Sequence, residues 1–117
     1  MKDVIKYIET ENKNYPIVMN LNVLEIIQEN YGTIEKWIEI IDSTEDLPKI
    51  KDLKVGLTAM INEGIDIENE KNGTNEPFLT VKQVGRILSE VGLGNITKII
   101  VSLSVESTKV DDEPKNE

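Results

Sequence analysis

The stretch that decides the fold runs Asn22-Val23-Leu24-Glu25-Ile26-Ile27-Gln28-Glu29-Asn30-Tyr31-Gly32-Thr33-Ile34-Glu35-Lys36-Trp37-Ile38-Glu39-Ile40-Ile41. Asn22 with Glu25 three residues on has the form of a capping box, and Val23, Leu24, Ile26, Ile27 and Tyr31 supply an apolar face. Gly32 follows as the stop, because only glycine enters the left-handed conformation there without cost. Thr33 then caps a second helix, in which Ile34, Trp37, Ile38 and Ile41 fall at i, i+3, i+4 and i+7, the stripe of a core-facing helix. Glu35, Lys36 and Glu39 take the opposite side. Two short helices joined by one glycine set the period of the chain and make the fold mainly α-helical.

Upstream the period is different. Val4-Ile5-Lys6-Tyr7-Ile8-Glu9 and Tyr15-Pro16-Ile17-Val18-Met19 are β-prone runs on either side of a polar, Asn-containing linker, which reads as a hairpin over residues 4–19 with Pro16 in an edge strand. Downstream, Asp42 to Pro48 is turn chemistry with acidic residues ahead of a helix start. Ile50, Leu53, Leu57, Met60 and Ile61 recur at helical spacing and predict a third helix ending before Gly64. Residues 66–77, rich in Asn, Glu, Gly and Pro, read as a long surface loop. Thr80 and Gln83 form a second capping box ahead of Val84, Ile87, Leu88 and Val91, with Gly92 as the stop. Gly94-Asn95 is a cap for a fifth helix with Ile96, Ile99, Ile100 and Leu103 inward. The β-branched residues Ile99, Ile100, Val101 and Val105 compete for a strand, but the i, i+3, i+4, i+7 spacing favours the helix.

The expected architecture is α+β: four to five short helices within 22–105 behind an N-terminal hairpin, in one globular domain over 1–107, with 108–117 a disordered acidic tail. Its core is read as Leu24, Ile27, Trp37, Ile38, Ile41, Leu53, Leu57, Met60, Leu88 and Ile100. A chain of 117 residues has room for one domain, and its 38% hydrophobic content suffices for a modest core without metal or disulfide. Tyr31 is expected to pin the two short helices together. Arg86, alone among 12 lysines, is expected to make an internal ion pair, with a partner contact as the alternative.

Charge and composition narrow the function. The 13 basic and 22 acidic residues leave a net charge of -9, which repels nucleic acid and anionic membranes and favours basic partners. No apolar run is long enough to span a bilayer, and Met1-Lys2-Asp3 with its charged neighbours is unlike a secretory signal, so the expected location is a bacterial host cytoplasm. The 17 Ile, 12 Lys and 11 Asn have AT-rich codons and point to a low-GC bacterium or its phage.

The chemistry-bearing residues are few. Without His or Cys there is no imidazole base, thiol nucleophile or ordinary zinc site, and a Ser-His-Asp triad is impossible. The pairs Glu39 with Asp42 and Glu45 with Asp46 sit on a solvated face or loop, where nothing drives their pKa values apart. Asp66-Ile67-Glu68-Asn69-Glu70 alternates oxygens as a calcium loop does, but Lys71 stands where that loop needs Gly and Pro77 where it needs a bidentate Glu. Gly92-Leu93-Gly94 lacks the preceding strand of a dinucleotide site. No catalytic, cofactor-binding or metal residue is expected, and no enzyme.

The order of elements carries a resemblance. A short hairpin with Tyr15-Pro16-Ile17, a helix reading Leu21-Asn22-Val23-Leu24 and ending Tyr31-Gly32, and a Trp-bearing helix are similar to the small tail assembly chaperones of long-tailed bacteriophages and prophages. Leu53 to Glu63 with Gly56 and Leu57, and Leu79 to Leu88 through Thr80, Gln83, Gly85 and Arg86, resemble the family's final capped helices, so the likeness spans about residues 4–105. It implies a non-enzymatic protein that binds and solubilises the tape-measure protein and recruits major tail-tube subunits, with no cofactor, nucleic acid or membrane partner. In several such proteins a ribosomal frameshift continues the chain past its tail, and Pro114-Lys115-Asn116 permits a slippery heptamer, as Lys-Asn pairs in AT-rich genes commonly do. A structural virion subunit, such as a tail connector or completion protein, and an acidic DNA mimic are the alternatives. The acidic residues are spread over every helix and loop, unlike the ranked face a mimic requires.

Overall fold

The computed structural model describes residues 4–42 and 49–111, with side chains through residue 106. Strands β1 (Ile5–Glu9) and β2 (Asn14–Val18) form an antiparallel hairpin in which Tyr7 faces Pro16 and Glu9 faces Asn14. Helices α1 (Leu21–Tyr31), α2 (Ile34–Ile41), α3 (Ile50–Asn72), α4 (Val81–Val91) and α5 (Leu93–Asp111) follow. The fold is thus α+β and mainly helical, with the hairpin at its start. In a two-stranded sheet both strands are edges, so Pro16 is tolerated despite its missing N–H.

Local signals account for most of the helix ends. Thr33 accepts from the Lys36 N–H and starts α2, while Gly32, at φ 90°, ends α1 with its N–H on the Gln28 carbonyl. Thr80 and Gln83 form a complete reciprocal capping box at α4, and Gly92 at φ 100° closes that helix. The cap of α1 lies two residues earlier than Asn22: Asn20 accepts from the Val23 N–H, and Asn22 instead donates to Glu63 across the helix pair. Asn95 likewise does not cap α5. It donates to the Val91 carbonyl at the end of α4, and the Gly92 carbonyl accepts the first bond of α5 from Ile96.

The largest departure from expectation is α3, which runs through Gly64 to Asn72 and replaces most of the loop expected over 66–77. The actual terminator is Gly73, left-handed at φ 67°, whose N–H returns to the Asn69 carbonyl. The apolar stripe continues unbroken through Leu53, Gly56, Leu57, Met60, Ile61, Gly64 and Ile65. Gly64 is a contact point: a Cβ there would stand 2.9 Å from the Pro16 carbonyl oxygen of β2. Gly56 plays the same part for α2, since any Cβ would overlap the Trp37 ring. The calcium-loop resemblance over 66–77 falls with the loop. Helix α5 extends to Asp111, four residues into the expected tail; residues 112–117, and Glu45 and Asp46, lie outside the described residues.

One apolar cluster joins all seven elements, from Ile8 and Ile17 in the hairpin to Ile96, Ile100 and Leu103 in α5. Eight of the ten expected core residues are buried in it, and Leu24 and Ile38 are half-buried at its margin. Val23 takes the inward position that Leu24 was expected to fill, because the helix starts earlier. Trp37 is fully buried, with its indole N–H donating to the Asp52 carbonyl at 2.9 Å. Trp37→Ala should therefore cost about 3 to 5 kcal/mol in urea denaturation, and Gly56→Ala about 1 to 3 kcal/mol or more by overpacking. Because the clash needs the indole, the double variant should cost less than the sum of the two; strict additivity would place Trp37 elsewhere.

Candidate functional site

Helix α3 is the beam against which the hairpin, α1, α2 and α4 are packed, and α5 packs on α4. Glu63 accepts from Asn20 at 2.8 Å and Asn22 at 2.9 Å, which holds the start of α1. Tyr31 was expected to join α1 to α2, but its hydroxyl donates to Asp52 of α3 at 2.7 Å. Two turns apart on α3, Asn62 and Asn69 each grip the backbone of the segment that leads to α4. Asn62 brackets Leu79, donating to its carbonyl and accepting from its N–H, while Asn69 does the same across Glu76. This clamped return brings α4 back along α3.

Among the described residues this arrangement leaves hollows, of which three bear on function. One of about 410 Å³ lies between the hairpin turn and the far half of α3, but its polar groups are already matched. Lys13 pairs with Glu76 at 3.3 Å, Tyr7 donates to Glu68, and Asn69 is saturated by Thr74 and Glu76. A smaller one of about 250 Å³ lies beside the hairpin turn, where Glu90 accepts from the Glu11 N–H at 2.7 Å. Both are seams that hold the hairpin to the helices.

The third hollow differs. It is a groove of about 630 Å³ between the start of α3 and the outer side of α4, open toward the head of α5. Leu88 forms its floor, Ile50 and Leu93 line its end, and Lys54, Lys82 and Arg86 supply its charge. Ile50 is 48% exposed, a large apolar surface. Lys82, Arg86 and Ser89 follow each other along one face of α4, and Lys54 lies across Gly85 between them. Among the described residues no carboxylate comes within 4 Å of these three cations. Arg86 is thus exposed on the groove, where an internal ion pair was expected.

Glu39 and Asp42 are exposed on α2 and at its end. Among the described residues no three Asp or Glu side chains converge as metal ligands would. No single helix there is long and apolar enough to cross a membrane. What the groove can do is bind: apolar floor, cationic rim, open length. Comparison of the chain with protein-family models, curated proteins and solved structures found no match in any of the three.

The Tyr31 contact that fixes α1 to α3 is testable through pH. Burial, then the hydrogen bond to Asp52, then the Asp52 charge push the Tyr31 phenol well above its ordinary range. A phenol harder to deprotonate in the folded chain stabilises the fold below the unfolded value near about pH 10, and that contribution drains away as pH rises toward the folded value. The stability gap between the parent chain and Tyr31→Phe should therefore narrow from about pH 9 to about pH 11 in urea melts. A constant gap would mean that the Asp52 contact does not hold the phenol in its neutral form.

Proposed function

We propose that the chain is a tail assembly chaperone of a long-tailed bacteriophage or prophage, which binds the tape-measure protein, keeps it soluble and helps to recruit tail-tube subunits. The observation that carries this reading is the groove between α3 and α4, which offers apolar surface and unpaired charge to a helical client without offering catalytic groups. Helix-in-groove recognition needs no more than such a trough and an amphipathic partner. The order of hairpin, glycine-separated short helices and capped later helices supports the same reading. The chain's net charge of -9 keeps a complex with an apolar client dispersed. The cations on α3 and α4, without a carboxylate partner among the described residues, speak against a DNA mimic, which needs an unbroken acidic face.

Co-expression with the cognate tape-measure protein should raise that protein's soluble yield, and the two should co-purify. Calorimetry of the pair should give a negative heat-capacity change from buried apolar surface. Failure to solubilise any fragment of it, together with recovery of this chain from purified particles by mass spectrometry, would replace the chaperone with a structural virion subunit.

A further inference from the structure

We infer that the groove between α3 and α4 receives an acidic amphipathic helix of a partner protein, with Leu88, Ile50 and Leu93 meeting the partner's apolar stripe and Lys54, Lys82 and Arg86 meeting its carboxylates. This runs against the composition. A chain with 22 acidic and 13 basic residues favours basic partners on average, yet the lining of this groove holds three cations and no carboxylate. What sets these three apart is that they share one lining without a carboxylate; Lys6 pairs with Glu106 at 3.4 Å and Lys13 with Glu76 at 3.3 Å, and the other described lysines lie outside the groove. The groove's three have no such partner among the described residues, so their charge is offered outward.

The shape of the groove fits a helix. Gly92 lines its end, and with no side chain there the trough stays low enough for a second backbone to approach. The Lys54 side chain reaches from α3 across Gly85, so its charge stands with Lys82 and Arg86 along α4 and a seated helix meets all three on that side, with Ile50 and Leu93 beyond them. Such an arrangement attracts acidic flanks and rejects basic ones, and specificity comes as much from the rejection as from the attraction. The acidic surface elsewhere repels the same helix, which confines it to this one place. The outer face of α1, with Leu21, Glu25, Ile26 and Glu29 and no basic residue, has the same chemistry, so a second copy of this chain is the competing occupant.

The inference rests on the client-binding reading only for the client's identity, and a defined probe tests it directly. Three labelled peptides of about 18 residues are titrated with the full chain by fluorescence anisotropy. One has Leu at i, i+3, i+4 and i+7 with Glu elsewhere; one has Lys in place of Glu; one is the Glu peptide interrupted by Pro. The expected result is binding of the uninterrupted Glu peptide that weakens as salt rises, with the Lys and Pro peptides at least about tenfold weaker. Lys54→Glu/Lys82→Glu/Arg86→Glu should reverse the choice between Glu and Lys peptides, while buried Trp37 emission and circular dichroism stay unchanged. If that triple variant loses its fold, the milder Lys82→Gln/Arg86→Gln pair should still weaken the Glu peptide. Equal binding of the Glu and Lys peptides, or of the Pro-interrupted one, overturns the inference. So does self-association in sedimentation that the triple variant abolishes, which would seat a second copy. A triple variant that still solubilises the tape-measure protein sinks this inference and leaves the chaperone reading standing. Selective Glu-peptide binding without tape-measure solubilisation does the opposite.

Discussion

The indole of Trp37 lying against the bare backbone of Gly56 is the contact on which the rest of the molecule depends. Helix α2 is only eight residues long, too short to persist in water without tertiary support. Its support is a fully buried ring seated where α3 has no side chain, with the ring nitrogen bonded to the Asp52 carbonyl of the same helix. Asp52 also receives the Tyr31 hydroxyl, so one turn of α3 fixes both α2 and the end of α1. Eight residues further along, Gly64 repeats the device for the hairpin by admitting the Pro16 backbone. Each hydrogen bond in this set adds only about 0.5 to 1.5 kcal/mol, and the buried ring several times more, so the packing decides the geometry and the polar contacts fix its register.

What could be read from the chain beforehand is what local chemistry controls. The stops at Gly32 and Gly92, the caps at Thr33 and Thr80 with Gln83, and the hairpin all depend on residues within a few positions of one another. They appear where their side chains place them. The fifth helix follows for the same reason: Ile96, Ile100 and Leu103 keep helical spacing despite their neighbours' β-branching. Gly64 misleads because its role is tertiary. A glycine followed by Asp66, Glu68, Asn69 and Glu70 has the composition of a stop and a loop, and only the approach of Pro16 makes it part of a stripe. Asn20 and Asn22 are equally good caps by type; Asn20 takes the cap, and both amides donate to Glu63, far away on α3, a tertiary contact that neither local pattern announces.

The groove was illegible for a related reason. Ile50 and Lys54 belong to one helix, Lys82 and Arg86 to another, and nothing in either segment announces the other. Their meeting depends on the return of the chain after Gly73, which Asn62 and Asn69 hold through side-chain bonds to backbone groups. The one faint signal was Lys82-Gln83-Val84-Gly85-Arg86, two cations four apart around a glycine on the side away from Val84 and Leu88's neighbours in the core. Arg86 had been assigned an internal partner because a lone arginine on an acidic chain ordinarily finds one.

On the proposed reading, the acidic surface and the cationic groove act together in placing an acidic amphipathic client. Were the whole surface neutral, an amphipathic client would find many weak apolar places on which to rest, among them Leu21 at 68% exposed and Phe78 at 56%. Surrounding negative charge raises the cost of those alternatives for an acidic helix and leaves the cost of the groove low. The same field acts between copies of the chain, so that groove-to-α1 contacts must overcome the repulsion of two bodies each carrying -9. A partner helix of about 18 residues brings its few carboxylates to the groove against far less of that opposing field. Discrimination between client and copy then follows from the distribution of charge over the whole molecule, with the three groove cations setting where the client lies.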